Sequence, residues 1–439
     1  MEDRWMKLMS DLRKNGPIRV AVVGCGLMGT GLVAQLNTLE GMDVTLWSSR
    51  TEEALLQAAK KVGLPQKALH ISGTEKEVAE DIKHYGMALT TDNSMTWLSD
   101  DVDVIVDCTG NTEAGAVINE EGLNHGKHIV SFNVECDVLL GPYFMKKAEE
   151  KGLCYTGTAG DEPGAIMELY NFATFLGFDV VAAGKGKNNP MDVEATPETL
   201  REKAEKKGLS PRMLTSFVDA TNTMIELNAV ANATGLLPDI TGCHGIQSAI
   251  GDLADKFRLK EEGGFFKNKG VLDYVMGIAP GVFVVVETDD PVISEEMPYL
   301  SMGDGPRYVF YRPYHLTNIE APLTLAKAVL YGEATIAPEK GYIAHTVAVA
   351  KKDLEPGDDL SGIGSDTAYG SLMDAREVYQ NNYVPIGLIT GDVKVKQKIK
   401  KGDFIRFEDV EFDDESKLFK MFVKEHNKFY SLPLSINVL

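Results

Sequence analysis

The stretch IRVAVVGCGLMG, residues 18–29, constrains this chain more than any other. A β-branched run ends in Gly24-Cys25-Gly26-Leu27-Met28-Gly29, and TGLVAQLNTLEG follows with helical spacing. MDVTLW then supplies a second strand about one strand–helix–strand unit later. In such a unit the three glycines have separate duties. Gly24 makes the tight turn, Gly26 lets backbone approach a pyrophosphate, and Gly29 lets the helix pack close to the strand. The free N–H groups at the helix start, at Leu27 and Met28, face the phosphates. The segment reads as a dinucleotide-binding turn.

Strand and helix patterns alternate through the first third of the chain. TEEALLQAAKKVG is helical, DVDVIVDCTG (101–110) is a strand ending in small residues, and KHIVSFN is another strand after a helical stretch. Alternation of this kind predicts an α/β fold built on a doubly wound parallel sheet, with ligands at the carboxyl ends of the strands. Thr109, Gly110 and Asn133 sit at such ends and are candidates to line a nicotinamide. The second strand ends VTLWSSR (44–50) and carries no acid for a ribose 2′-hydroxyl. Ser48, Ser49 and Arg50 offer hydroxyls and a guanidinium instead, which suit a 2′-phosphate and favour NADP(H) over NAD(H).

At 439 residues two or three domains are expected. The formal net charge of −21 argues against nucleic-acid and anionic-membrane partners, which need a basic surface. No apolar run reaches membrane-spanning length, and the start, MEDRWMKLMSDLRK, lacks the apolar core of a signal peptide. Cys25, Cys108, Cys136, Cys154 and Cys243 are odd in number and never spaced C-x-x-C, so they read as free thiols. A cytoplasmic protein is expected.

In the middle of the chain, DVVAAGKGKNNP (179–190) runs from an apolar strand into a loop of amines and amides. Extended backbone would point Lys185 and Lys187 the same way, so each would lower the other's pKa. That suits a general acid for a carbonyl being reduced, with Asn188 beside it; the alternative is a solvated basic turn. Ser210-Pro211 reads as a helix start, and one helix is predicted from there to Gly235. Thr215, Asp219, Asn222 and Glu226 would then share a face that is either solvated or one wall of a pocket. Arg312 and His315, in RYVFYRPYHL, could hold an anionic substrate group, or be an ion-pairing arginine and a structural histidine; His244 carries the same ambiguity. Asp161-Glu162, Glu135 and Asp137 raise a divalent metal, magnesium or manganese, without the spacing of a dedicated motif. After about residue 340 the pattern turns β-rich, with VAVAKKDLEPGDDL (347–360) weakly repeated in VKVKQKIKKGDFIRFEDV (393–410).

Taken with VSFNVECDVLLGP, SFVDATNTMIELNAVANATG, YRPYHL and PIGLITGDVK, these segments make the chain resemble the homoserine-dehydrogenase-like oxidoreductases that carry a C-terminal SAF domain. That group includes the second type of 1-deoxy-D-xylulose 5-phosphate reductoisomerase and some sugar-acid oxidoisomerases. The resemblance implies a Rossmann domain (1–157), a mixed α/β substrate and dimerisation domain (158–338) and a small β-rich SAF-like module (339–439). It implies hydride transfer on a small, polar hydroxycarbonyl compound, with or without a phosphate, in a homo-oligomer. A lysine of GKGKNN would protonate or polarise the substrate oxygen, with Asp219 and Glu135 orienting it and Asp161, Asn188, Asn222, Arg312 and His315 contacting substrate. Many relatives read Asp-Gly-Thr-Lys where this chain has Asp219-Ala220-Thr221-Asn222, and homoserine dehydrogenases carry a lysine near Asn133-Val134-Glu135. Both departures move weight from homoserine to Lys185 and Lys187. Dehydrogenation of homoserine or a sugar acid, and a non-catalytic NADP sensor, are the alternatives.

Overall fold

A computed structural model describes residues 4–391, 393–431 and 434. They divide into two compact units. The first runs to Gly164 and takes in Leu316–Ala337; the second comprises Ala165–His315 and the chain from Pro338 onward. The β-rich C-terminal stretch is thus folded into one unit with the middle of the chain, and a segment expected in the middle domain returns to the first.

The first unit holds six parallel strands, β1 (Ile18–Val23), β2 (Met42–Ser48), β3 (Ala88–Thr90), β4 (Val104–Asp107), β5 (His128–Ser131) and β6 (Tyr155–Gly157). Their order is β3-β2-β1-β4-β5-β6. This is the doubly wound sheet expected, with its switch point between β1 and β4. The helices are α1 (Arg4–Lys14), α2 (Leu27–Leu36), α3 (Glu52–Lys61), α4 (Glu75–Tyr85), α5 (Met95–Leu98), α6 (Thr112–Asn124) and α7 (Val134–Glu150). Helices on both faces explain why Val20, Ala21 and Val22 of β1 are wholly buried and why the strand reads as a continuous apolar run. The returning helix Thr317–Tyr331 packs on α2 and β1 and contributes Ala321, Leu325 and Ala328 to this core. Asn111 and Asn133 cap α6 and α7, accepting from the Ala114 and Cys136 N–H groups, so each helix starts directly after its strand.

The helix α8 (Glu162–Phe175) leads into the second unit. Its sheet is mixed: β7 (Asp179–Lys187), β8 (Leu237–Pro238), β9 (Ile246–Gln247), β10 (Val271–Met276), β11 (Val282–Glu287) and β12 (Arg307–Arg312), in the order β12-β11-β7-β10-β8 with β9 also on β10. β7 is parallel to β10 and antiparallel to β11. The strand does not stop before the lysines, as expected, but runs through Lys187. The G-K-G-K alternation explains this. A Cβ on Gly184 would lie 1.8 Å from the Asp273 carbonyl oxygen and one on Gly186 would lie 2.4 Å from Ala279 N, so neighbouring backbone fills the glycine face. The lysines occupy the other face.

The long helix predicted after Ser210 starts as expected, with the Ser210 hydroxyl accepting from Met213 N and Pro211 at its first position. It then breaks. After α9 (Arg201–Lys206), α10 spans Pro211–Val218 and α11 spans Thr221–Thr234, separated by Asp219 and a left-handed Ala220 (φ +68°). Asp219 Oδ1 accepts from Thr221 N at 2.9 Å, satisfying the first N–H of the second helix. A left-handed alanine costs about 1 kcal/mol, so surrounding packing must impose it.

Beyond Pro338, β13 (Ala344–Ala350) pairs antiparallel with β15 (Ala368–Asp374), while β14 (Asp359–Leu360), β16 (Val393–Val395) and β17 (Val410–Glu411) form a small antiparallel sheet. β13 and β15 pack on α11, which also meets β10. Of the residues of α11, all but Asn222 are buried, so the helix needs no wide polar face. Among the described residues no helix is long and apolar enough to cross a membrane.

Candidate active site and coenzyme-binding face

The first unit presents the nucleotide half. Gly24 has φ +110°, and a Cβ there would sit 2.6 Å from the Cys108 carbonyl oxygen; a Cβ on Gly29 would sit 2.1 Å from the Gly24 carbonyl oxygen. Both glycines are required by the protein's own packing. Gly26 differs: a Cβ there would meet nothing within 4 Å, so the space beside it is open to a ligand. Gly26 caps α2 without any side-chain bond, leaving the N–H groups of the first turn, including Leu27 and Met28, without an intrahelical partner. Leu27 is 63% exposed at this end. The turn is held from behind by Trp47, whose indole Nε1 donates to the Gly24 carbonyl at 2.9 Å. An open glycine at an uncapped helix start fits a pyrophosphate.

The end of β2 divides its candidates. Ser48 is fully buried and its hydroxyl donates to Asn93 Oδ1 at 2.5 Å, so it supports the strand end and does not offer a donor to a 2′-phosphate. Ser49 is partly exposed and accepts from the Cys25 thiol at 3.0 Å; Arg50 is exposed. Of the three candidates, these two reach the surface.

After β4, the buried Asp107 accepts from both the N–H and the hydroxyl of Thr109, at 2.9 and 2.6 Å. Its other oxygen accepts from Asn133 Nδ2 at 3.0 Å. Burial raises the Asp107 pKa, against these hydrogen bonds. The Asn133 amide also donates to the Asn111 carbonyl at 2.9 Å and caps α7 through its oxygen. Asn133 therefore joins the two strand-end loops and is committed to protein partners, while Thr109 and the exposed, left-handed Gly110 (φ +58°) form the loop surface. Glu135 and Asp137 begin α7. Burial raises the Glu135 pKa and pushes Asp137 up to about 6, against a hydrogen bond from the Tyr155 hydroxyl at 2.9 Å. Asp161 is partly buried just before α8.

The second unit holds the lysines. Lys185 and Lys187 point to the same face of β7 and are 5% and 4% exposed. Lys185 Nζ is ion-paired with Glu226 Oε2, and Asn222 Nδ2 donates to Glu226 Oε1 at 2.7 Å. Lys187 Nζ instead donates to the Phe217 carbonyl oxygen at 2.6 Å. Burial, then repulsion by Lys185, lower its pKa to about 8 against the attraction of Asp219 and Glu226. The result is one lysine neutralised by an acid and a second that is poised to give or take a proton near neutral pH.

Asp219 does not orient either lysine through a hydrogen bond. It is fully buried; Oδ1 accepts from the Thr221 N–H at the start of α11 and Oδ2 accepts from Lys351 Nζ at 2.7 Å. The helix break accounts for this, because the corner turns Asp219 out of the stripe that a continuous helix would have made. Asn188 is exposed just past the strand. Arg312 ends β12, where its guanidinium pairs with Glu168 at 2.9 Å and stacks 4.7 Å from the Tyr314 ring centre. His315 is partly buried three residues on. His244 is structural: Nε2 bonds Asp239 at 2.9 Å and the ring sits edge-on to Phe265 and Phe266. The five cysteines are free thiols.

Two participants escaped the sequence reading. Glu226 was seen only as part of a polar stripe, and its pairing with Lys185 requires strand and helix to meet 41 residues apart. Lys351 gave no signal beyond its place at the end of an alternating strand pattern.

Residues 160–321 match a family described as oxidoreductase DRL, catalytic domain. The matched stretch carries Lys185, Lys187, Asn222, Glu226, Arg312 and His315. No curated protein matches the chain. Among solved structures, a "probable dehydrogenase" from Thermotoga maritima is 13% identical, with 74% of this chain and 92% of that chain covered and a TM-score of 0.43. A scyllo-inositol dehydrogenase from Lactobacillus casei with bound NAD(H) and scyllo-inositol is 13% identical over 62% of this chain and 73% of that one, with a TM-score of 0.35. GenD2 from gentamicin A biosynthesis, in complex with NAD, is 13% identical over 74% of this chain and 90% of that one, with a TM-score of 0.38. Likenesses this distant say nothing of this chain's substrate. The catalytic-domain match, joined to a dinucleotide-binding sheet in the first unit, makes this chain an NAD(P)-dependent oxidoreductase.

Proposed function

We propose that the protein uses NADPH to reduce a small, polar, hydroxylated carbonyl compound, in the manner of the second type of 1-deoxy-D-xylulose 5-phosphate reductoisomerase. The observation that carries this reading is the unequal lysine pair on β7: Lys185 paired with Glu226, and Lys187 bonded to a backbone carbonyl with its pKa brought down to about 8. When bound, the nicotinamide supplies the hydride. The chain's residues do the rest. Gly26 and the first turn of α2 hold the pyrophosphate, and Ser49 and Arg50 meet the ribose 2′-phosphate. Lys187, as ammonium, hydrogen-bonds the substrate carbonyl and delivers its proton to that oxygen as negative charge develops there. Lys185, ion-paired with Glu226, flanks Lys187 on the same face of the strand, and Asn222 holds Glu226 in place.

The homoserine-dehydrogenase-like assignment and the SAF identity of the C-terminal module belong to the same proposal. So does a homo-oligomer: Phe172, 54% exposed, stacks edge-on to Phe310 of the edge strand β12, and Phe175 is 89% exposed on the same helix. Light scattering on a sizing column tests it.

The functional test is NADPH consumption with 1-deoxy-D-xylulose 5-phosphate, with and without magnesium or manganese, and with NADH beside it. Turnover with NADPH supports the reading and shows whether a metal is needed. Turnover only with homoserine or a sugar acid selects the plain dehydrogenase. NADPH binding with no turnover on any of the three leaves a coenzyme sensor.

A further inference from the structure

We propose that the C-terminal module belongs to the active site electrostatically, with Lys351 as the positioning residue that neutralises Asp219 and so sets the pH range over which Lys187 donates its proton. The proposal rests on the reading of Lys187 as the general acid.

Lys351 follows β13 directly. Its neighbour Lys352 is exposed and pairs with Asp366 at the surface, whereas the Lys351 side chain is 3% exposed. An ammonium has three donors. Those of Lys351 reach Asp219 Oδ2 at 2.7 Å, the Ala195 carbonyl at 2.7 Å and the Ser365 carbonyl at 2.8 Å. The three acceptors come from three segments. Ala195 lies in the loop that follows Lys187. Asp219 lies two residues past Phe217, whose carbonyl holds Lys187. Ser365 belongs to the module itself. Further bonds join the same parts: Arg212 Nε of α10 donates to the Ile363 carbonyl at 2.8 Å, and Gly370 N donates to Thr221 Oγ1 at 2.8 Å. The corner that positions Lys187 is therefore fastened to the module.

The charge matters beyond the fastening. Replacing a buried ion pair by apolar residues is often neutral for stability, so attachment alone does not call for one. The charges acting on Lys187 are Lys185 on its own strand, which repels, and Asp219 and Glu226 from the corner and α11, which attract. Glu226 is balanced by Lys185 and Asp219 by Lys351. With Lys351 absent, the full negative charge of Asp219 would act on Lys187 and stabilise its ammonium form.

The experiment uses the full chain and the variants Lys351→Met, Asp219→Asn and the double substitution. Lys187 is titrated without substrate, by the pH dependence of its acetylation with acetic anhydride, read by mass spectrometry. Lys351→Met is expected to raise the Lys187 midpoint by about one pH unit and Asp219→Asn to lower it by a similar amount, with the double variant returning to the wild-type value. The high-pH limb of kcat/KM should move in the same directions. If Lys351→Met does not fold, Asp219→Asn decides alone. Midpoints unchanged in the variants that fold overturn the proposal, since a merely structural contact would lower stability without opposite shifts. Because the labelling needs no turnover, failure with every carbonyl substrate would count against the general-acid reading and leave the coupling measured.

Discussion

Replacing Lys187 by methionine should abolish turnover and, at neutral pH, make the protein more stable. The structure gives the magnitude. Bringing the ammonium from an ordinary 10.5 to about 8 is a shift of about 2.5 units, or about 3.4 kcal/mol at 1.36 kcal/mol per unit. Relaxation of the surroundings of the buried ammonium roughly halves that, and losing the bond to the Phe217 carbonyl takes back about 1 kcal/mol. Lys187→Met is then expected to gain about 1 kcal/mol at pH 7. The pH dependence has a definite sign. The folded pKa lies below the unfolded one, so between about 8 and 10.5 the unfolded chain binds the extra proton and wild-type stability rises with pH. The variant lacks that rise, so its advantage should shrink and reverse across the window. Urea unfolding followed by circular dichroism at pH 7 and near pH 10 measures it. Tryptophan fluorescence would not, because Trp5, Trp47 and Trp97 all lie in the first unit. A stability difference that does not change with pH would falsify the idea that burial of a charged Lys187 sets its pKa.

Other substitutions separate packing from binding. Gly26→Ala should leave the melting temperature unchanged and weaken NADPH about tenfold or more in a fluorescence titration, because its Cβ enters open space meant for phosphate. Gly29→Ala should lower both stability and affinity, because its Cβ would lie 2.1 Å from a carbonyl oxygen. Arg50→Ala, at an exposed site, should reduce NADPH affinity about tenfold, a loss of roughly 1.4 kcal/mol, while sparing NADH. In the C-terminal module, burial pushes His345 down to about 3. Its folded pKa is depressed, so the unfolded chain takes up the proton below about 6.5 and stability falls from there toward pH 3. His345→Gln should flatten that decline in urea melts between about pH 6.5 and 4; an unaltered slope would remove His345 as its cause.

Much of the first unit was legible because its determinants are local. A strand, three glycines with fixed spacing and a following helix lie within a dozen residues, and the alternation of apolar runs with helical ones leaves few arrangements other than a parallel sheet. The G-K-G-K alternation likewise told which way two lysines point, since side chains on a strand alternate whatever surrounds it. What the local pattern could not reveal is which polar groups are already taken. Ser48 has the right chemistry for a phosphate, but Asn93 reaches it from 45 residues away. Helical spacing joined Asp219 to Glu226, but a left-handed Ala220 divides the helix, and that conformation is held by tertiary packing against its intrinsic cost. Lys185 finds Glu226 across 41 residues and Asp219 finds Lys351 across 132. The sequence by itself determined the nucleotide fold and the alternation that aims Lys185 and Lys187 to one face of a strand; only the tertiary structure decided which acid pairs with which lysine. Burial is the physical reason, because a charge removed from water must find a partner, and the partner is chosen by whatever the fold brings within hydrogen-bond reach.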